Sequence, residues 1–359
     1  MREFMHKYRK NILIVIILGF ILYLFILLRN DVNKVASKIK QINPYYFLLI
    51  FLMLFIYVFL EGVVIYIIAK RKVKGITLGD AFRVNLATQF FNAITPFSSG
   101  GQPFQIIYFK TRGIKVRDAS SIILINFITY NIAFVLLGAI CLIFKSSYFN
   151  QILVQEGYKY LLLIGFGINV FMTVISFFLT FSRKFYHLLI EVIWIKVIRW
   201  PIIRRFKLER KADNIKNAVE EFHSELNVLK KDKKLWFQSI IYHLIRLICF
   251  YMIPLFIFMA LGENVRYNEV NIIVGAIFVA IVMSYVPTPG ASGGAEGIFY
   301  LLFSFLKRTV IPALLLWRFT TYYLYIIFGF ITLLTLNYKT NLKKINYRCQ
   351  NEEDLIDDK

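Results

Sequence analysis

At 359 residues, 58% hydrophobic and 17% aromatic with a mean hydropathy of +0.62, the chain is too apolar for a soluble domain, whose apolar share is about 45–50%. Lys and Arg number 43 against 21 Asp and Glu, an excess that in a membrane protein belongs on cytoplasmic loops facing anionic headgroups. With no basic stripe interleaved with aromatics, this charge argues against nucleic-acid binding. Cys141, Cys249 and Cys349 are far apart and lack zinc-site spacing, so neither a disulfide, a metal nor another cofactor is expected.

The basic segment 1–10 precedes an uncharged run, 11–28, and Arg29-Asn30-Asp31 after it offers no small-residue cleavage site. It reads as a retained signal anchor. Spanning helices need about 20 apolar residues, which predicts further spans at 45–69, 119–144, 159–181, 235–261 and 310–336. Two other apolar stretches, 78–109 and 270–306, are broken in the middle. The first break holds Thr95, Pro96, Ser98, Ser99, Gly100, Gly101, Gln102 and, one turn on, Gln105. The second holds Thr288, Pro289, Gly290, Ser292, Gly293, Gly294 and Glu296. Broken backbone at membrane depth is tolerated only when buried in protein or lining a wet cavity, so each stretch is expected to be a re-entrant helical hairpin. Between the halves, 185–200 suits an interfacial helix, and 208–231 carries one apolar stripe on a charged cytoplasmic helix.

Loops 70–118 and 182–234 carry nine and fourteen basic residues, against two in 145–159 and one in 262–269. The rich loops face the cytoplasm, which puts both termini inside; loop 29–44, outside with four basic residues, is the exception. Sliding the chain on itself by 193 positions lays Thr95, Pro96, Ser99, Gly100 and Gly101 on Thr288, Pro289, Ser292, Gly293 and Gly294. The same offset carries 45–69 to 238–262 and 119–144 to 312–337. A unit of helix, broken hairpin and helix therefore occurs twice, at about 45–144 and 238–337, and the charge-derived topology makes the copies antiparallel. The expected fold is an all-α polytopic membrane protein with an inverted repeat, about six full spans and two re-entrant hairpins. It forms one domain over 1–340 with a cytoplasmic connector at 182–234, and a polar cytoplasmic tail at 341–359.

In such a layout substrate binds near the midplane, where half-helices after Gly101 and Gly294 would aim free N–H groups and positive dipole ends at a phosphate or carboxylate. Charges within apolar segments are functional candidates by default. Here they are Glu61, Arg83, Arg246, Glu296 and Arg318, with His243 one turn from Arg246, and Arg83 is placed to snorkel. Three arginines against two glutamates predict a net-positive interior.

At these motifs, together with Trp317-Arg318 and Tyr322, the chain resembles the flippase-like membrane family related to the transmembrane region of lysylphosphatidylglycerol synthase/flippase proteins. The resemblance covers about residues 10–340. Relatives often carry Glu and Arg where Gln102 and Gln105 stand. It implies translocation of a charged-headgroup lipid between leaflets and does not imply aminoacyl transfer; the expected location is the cell membrane and the expected partners are membrane lipids, with a homo-oligomer possible. The predicted function is a translocator of an anionic-headgroup lipid between two broken hairpins, not an enzyme. The first alternative is a secondary transporter or channel for a small ion or solute. The second is an intramembrane serine hydrolase, because 290–294 formally matches G-x-S-x-G, yet no histidine follows Ser292. No Walker-type motif occurs.

Overall fold

The computed structural model describes residues 37–73, 75–144, 158–182, 230–306 and 309–340. The expected first span at 11–28, the interfacial helix at 185–200, most of the helix at 208–231 and the tail at 341–359 lie outside the described residues. Within them, regular structure is helical and no strand forms.

Helix α1, Pro44–Lys70, begins where Pro44 takes its first turn and the Asn43 side chain accepts the Tyr45 N–H. Both choices satisfy the orphan donors of a helix start. Helix α2, Leu78–Ile94, opens on a capping box, with Thr77 accepting from the Asp80 N–H and donating to the Asp80 carboxylate at 2.7 Å. It stops at Thr95, which Pro96 biases out of the helical region. The chain then turns into α3, Gly101–Thr111, and α4, Val116–Phe144. Helix α5 is Tyr158–Phe181. The second half repeats the order: α6 is Lys233–Ala260, α7 Glu269–Met283 and α8 Gly294–Leu302. Helix α9, Val310–Arg318, runs through a π-helical turn, Phe319–Tyr323, into α10, Leu324–Thr340.

Among the described residues, four helical stretches are long and apolar enough to cross a bilayer: Pro44–Lys70, Val116–Phe144, Lys233–Ala260 and Val310–Leu336. The predicted span 159–181 is helical, but its apolar stretch, Leu162–Phe178, is shorter. The predicted span 310–336 is not a uniform α-helix. Its π turn opens carbonyls that Thr320 and Thr321 satisfy, donating to the Leu316 and Trp317 oxygens at 2.8 and 2.6 Å. Large apolar side chains such as Leu48, Phe144, Phe171 and Phe328 point outward, as expected where the solvent is hydrocarbon.

Helices α1 and α6 pack antiparallel and are pinned at both ends. Arg71 pairs with Asp232 at 3.0 Å at one end, and the Asn43 N–H donates to the Ala260 carbonyl at 2.9 Å at the other. Behind each broken stretch lies an aromatic core. Phe91 stacks on Phe104 at 4.4 Å in the first half, and Phe299 meets Phe303 and Trp317 at 4.6 and 4.7 Å in the second. Each break is also tied at its foot. Lys72 pairs with Asp118 at 3.9 Å, and Thr309 donates to Glu263 at 2.9 Å.

Candidate functional site: a polar cavity behind the broken motifs

The two breaks meet. Pro96 and Pro289, equivalent positions under the 193-residue offset, form an antiparallel backbone bridge. Proline has no N–H, so flanking residues must carry the pairing. The backbone strain matches as well. Phe97 and Ser98 have φ of 55° and 52°, and their counterparts Gly290 and Ala291 have 59° and 54°. Three of these four are non-glycine residues in the left-handed region, a costly state that surrounding structure must impose.

Beside the bridge lies a cavity of about 660 Å³, walled by α1 to α7, both tips and the π turn. Of the residues expected at the site, Ser98, Ser99, Gln102, Gln105, Arg246, Thr288, Gly290, Arg318 and Tyr322 line it. Thr95, Pro96, Gly100, Gly101, Pro289, Ser292, Gly293, Gly294 and Glu296 do not; most of these build the tips instead. Thr95 Oγ1 accepts the Gly100 N–H at 2.8 Å, and Asn92 Oδ1 accepts the Gly101 N–H at 3.1 Å. Glu296 accepts the Gly293 N–H at 2.7 Å. Side chains thus cap the Gly100, Gly101 and Gly293 amides locally, so these three N–H groups are not free to meet a ligand. Crowding explains Gly100 and Gly101: a Cβ on Gly100 would lie 2.6 Å from Thr95 Cγ2, and one on Gly101 would strike Asn92. At Gly293 a Cβ would meet nothing, and its φ of 90° alone favours glycine.

The embedded charges form two ion pairs. Arg246, on α6, reaches Glu61, on α1, at 2.7 Å, and its second Nη lies 3.3 Å from His243 Nδ1. Its guanidinium lies over the rings of Tyr57 and Tyr130 at 4.4 and 5.3 Å. Arg318 Nε reaches Glu296 at 2.6 Å while its Nη1 donates to the Gly290 carbonyl at 3.0 Å. Both arginines and Glu61 are buried. The predicted net-positive interior is thus corrected, since each cavity arginine is held by a carboxylate. Arg83 is half-buried and does not reach the cavity. Arg318 Nη2 and Arg246 Nε are buried without a hydrogen-bond partner among the described residues.

Tyr322 closes the arrangement, donating from its hydroxyl to the Ala93 carbonyl at 3.1 Å while its ring fills the space beside Gly290. It therefore joins the two tips. Ser292 Oγ donates to the Pro289 carbonyl at 2.9 Å, part of the turn itself.

The sequence reading passed over the amides of this cavity: Gln89, Asn92, Asn126, Asn131 and Asn169. Their signal was available, because a polar residue inside an apolar span is costly unless it faces the protein interior.

The family described as the lysylphosphatidylglycerol synthase TM region matches residues 12–329. A "UPF0104 membrane protein" of Archaeoglobus fulgidus is 24% identical over 273 residues, covering 72% of this chain and 76% of that protein. No solved structure matches. Matched over most of its length, and with four membrane-length apolar helical stretches among its described residues, the chain belongs to the lysylphosphatidylglycerol synthase TM region family of membrane proteins.

Proposed function

We propose that the protein is a lipid translocator of the cell membrane, not an enzyme. It moves an anionic-headgroup lipid between leaflets through the cavity between two re-entrant hairpins of an inverted repeat. The observation that carries this reading is the buried, unpartnered Arg318 Nη2 at a polar cavity flanked by the two broken motifs. Glu296 and Gly290 orient the guanidinium, so its free N–H is pre-set to meet an acceptor such as a phosphate oxygen. Support for the repeat comes from helix starts at Gly101 and Gly294, one offset apart, from the matched left-handed tips and from the Pro96–Pro289 bridge. An antiparallel pairing of equivalent residues is what two copies related by a two-fold axis in the membrane plane would make. The acyl tails stay in the bilayer while the headgroup crosses, which avoids the largest cost of moving a lipid.

The test is leaflet exchange in proteoliposomes with fluorescent anionic, zwitterionic and cationic lipids. The anionic lipid should move fastest, and Gly290→Val, which drives a side chain into Tyr322, should abolish movement. Equal rates for all headgroups would indicate a nonspecific scramblase, and movement of the cationic lipid alone would reverse the assigned polarity.

A further inference from the structure

A phosphate is an acceptor, and it leaves the acceptors of the cavity wall unmet. With Arg246 held by Glu61 and Arg318 held by Glu296, the cavity arginines keep two nitrogens without a partner among the described residues, Arg318 Nη2 and Arg246 Nε. The same cavity is lined by three asparagines whose carbonyl oxygens take no hydrogen bond among the described residues. Asn131 and Asn169 each spend Nδ2 on their own helix, donating to the Phe127 and Gly165 carbonyls at 2.7 and 3.1 Å. That back-bonding fixes the amide and leaves Oδ1 and the second Nδ2 hydrogen to meet an occupant. Asn126 Oδ1 is buried without any partner. All three side chains are more than nine-tenths buried and line the cavity. A buried acceptor without a donor is costly, so the native occupant should bring donors as well as the anion.

Two donor chemistries fit an acceptor row, an ammonium and a set of hydroxyls. An ammonium only donates, so it would leave the free Nδ2 hydrogens of these amides unmet, and Glu61 Oε2 already accepts from Arg246 at 2.7 Å and from Gln89 Nε2 at 3.1 Å. Hydroxyls need no charge partner and can both donate to Oδ1 and accept from an amide nitrogen. Resting on the lipid-translocator reading, we infer that the headgroup is a polyol phosphate, with the phosphate on Arg318 Nη2 and its hydroxyls on Asn126, Asn131 and Asn169.

The experiment compares leaflet exchange of fluorescent phosphatidylinositol, phosphatidic acid and phosphatidylethanolamine in the same proteoliposomes. The inositol lipid should move at least about tenfold faster than phosphatidic acid, and Asn126→Leu should cut that ratio about fivefold, as expected for one lost hydrogen bond. Since a leucine there could impair folding, a second measurement uses the wild-type protein: soluble myo-inositol 1-phosphate should inhibit exchange more strongly than inorganic phosphate. Equal rates for phosphatidylinositol and phosphatidic acid, or equal inhibition by the two soluble anions, overturn the polyol assignment while leaving anionic-lipid transport intact. Fastest movement of phosphatidylethanolamine overturns it in favour of an ammonium. Exchange of none of the lipids overturns both readings.

Discussion

Arg318 illustrates how one side chain can have both a ligand-facing and a structural task. Two of its nitrogens hold Glu296 and the Gly290 carbonyl, and the third is free. Removing it therefore does more than delete a contact. Arg318→Leu strands a largely buried carboxylate, and breaking a buried pair on one side costs about 3–5 kcal/mol. The double variant Arg318→Leu/Glu296→Leu removes both charges and should recover much of that loss. Thermal unfolding in detergent measures the difference; a double variant less stable than Arg318→Leu alone would show that the pair is not the source. The glycines at the second tip make a paired prediction. Gly290→Ala combines a φ of 59° with collision against Tyr322, whereas Gly293→Ala meets only the strain of its 90° φ. The strain alone is worth about 1–3 kcal/mol, so Gly290→Ala should lower the unfolding temperature clearly more than Gly293→Ala.

At the scale of elements, the break between α2 and α3 and that between α7 and α8 are held as a pair, tip to tip. Bridged residues on antiparallel segments have Cα atoms about 4.5–5.5 Å apart, inside the range a disulfide spans. In a background with Cys141, Cys249 and Cys349 replaced by serine, Pro96→Cys/Pro289→Cys should crosslink on mild oxidation, seen as a mobility shift without reductant. Failure to crosslink, with both thiols labelled by a maleimide, would separate the tips. If headgroup passage needs the tips to part, the crosslinked protein should also lose leaflet exchange, and dithiothreitol should restore it. The π turn after Arg318 belongs to the same unit, because it brings Thr321 and Tyr322 to the cavity wall.

For the whole molecule, the proposed inversion makes a topological prediction. That arrangement would put the loop at Gly113 on the cytoplasmic side and the highly exposed Tyr267 on the outer side. In intact cells a membrane-impermeant maleimide should label Tyr267→Cys but reach Gly113→Cys only after permeabilisation. Labelling of both from one side would refute the inverted arrangement. The sequence by itself determined the membrane class, the four apolar stretches of spanning length, the places where helices break and the residues that bear embedded charge. Each of these follows from local chemistry: apolar run length, the proline and glycine constraints on backbone, and the cost of charge in hydrocarbon. What only the tertiary structure decided is how those charges are spent. Glu61 lies 185 positions from Arg246 in the chain, and nothing local says that they meet or that the pairing cancels the expected positive interior. The same holds for Asn92, Thr95 and Glu296, whose capping of the broken ends depends on how each turn closes. The amides of Asn126, Asn131 and Asn169 likewise came to line one cavity only when α4 and α5 packed around it. Spacing along a helix fixes a residue's face, but the identity of what that face meets is a property of packing.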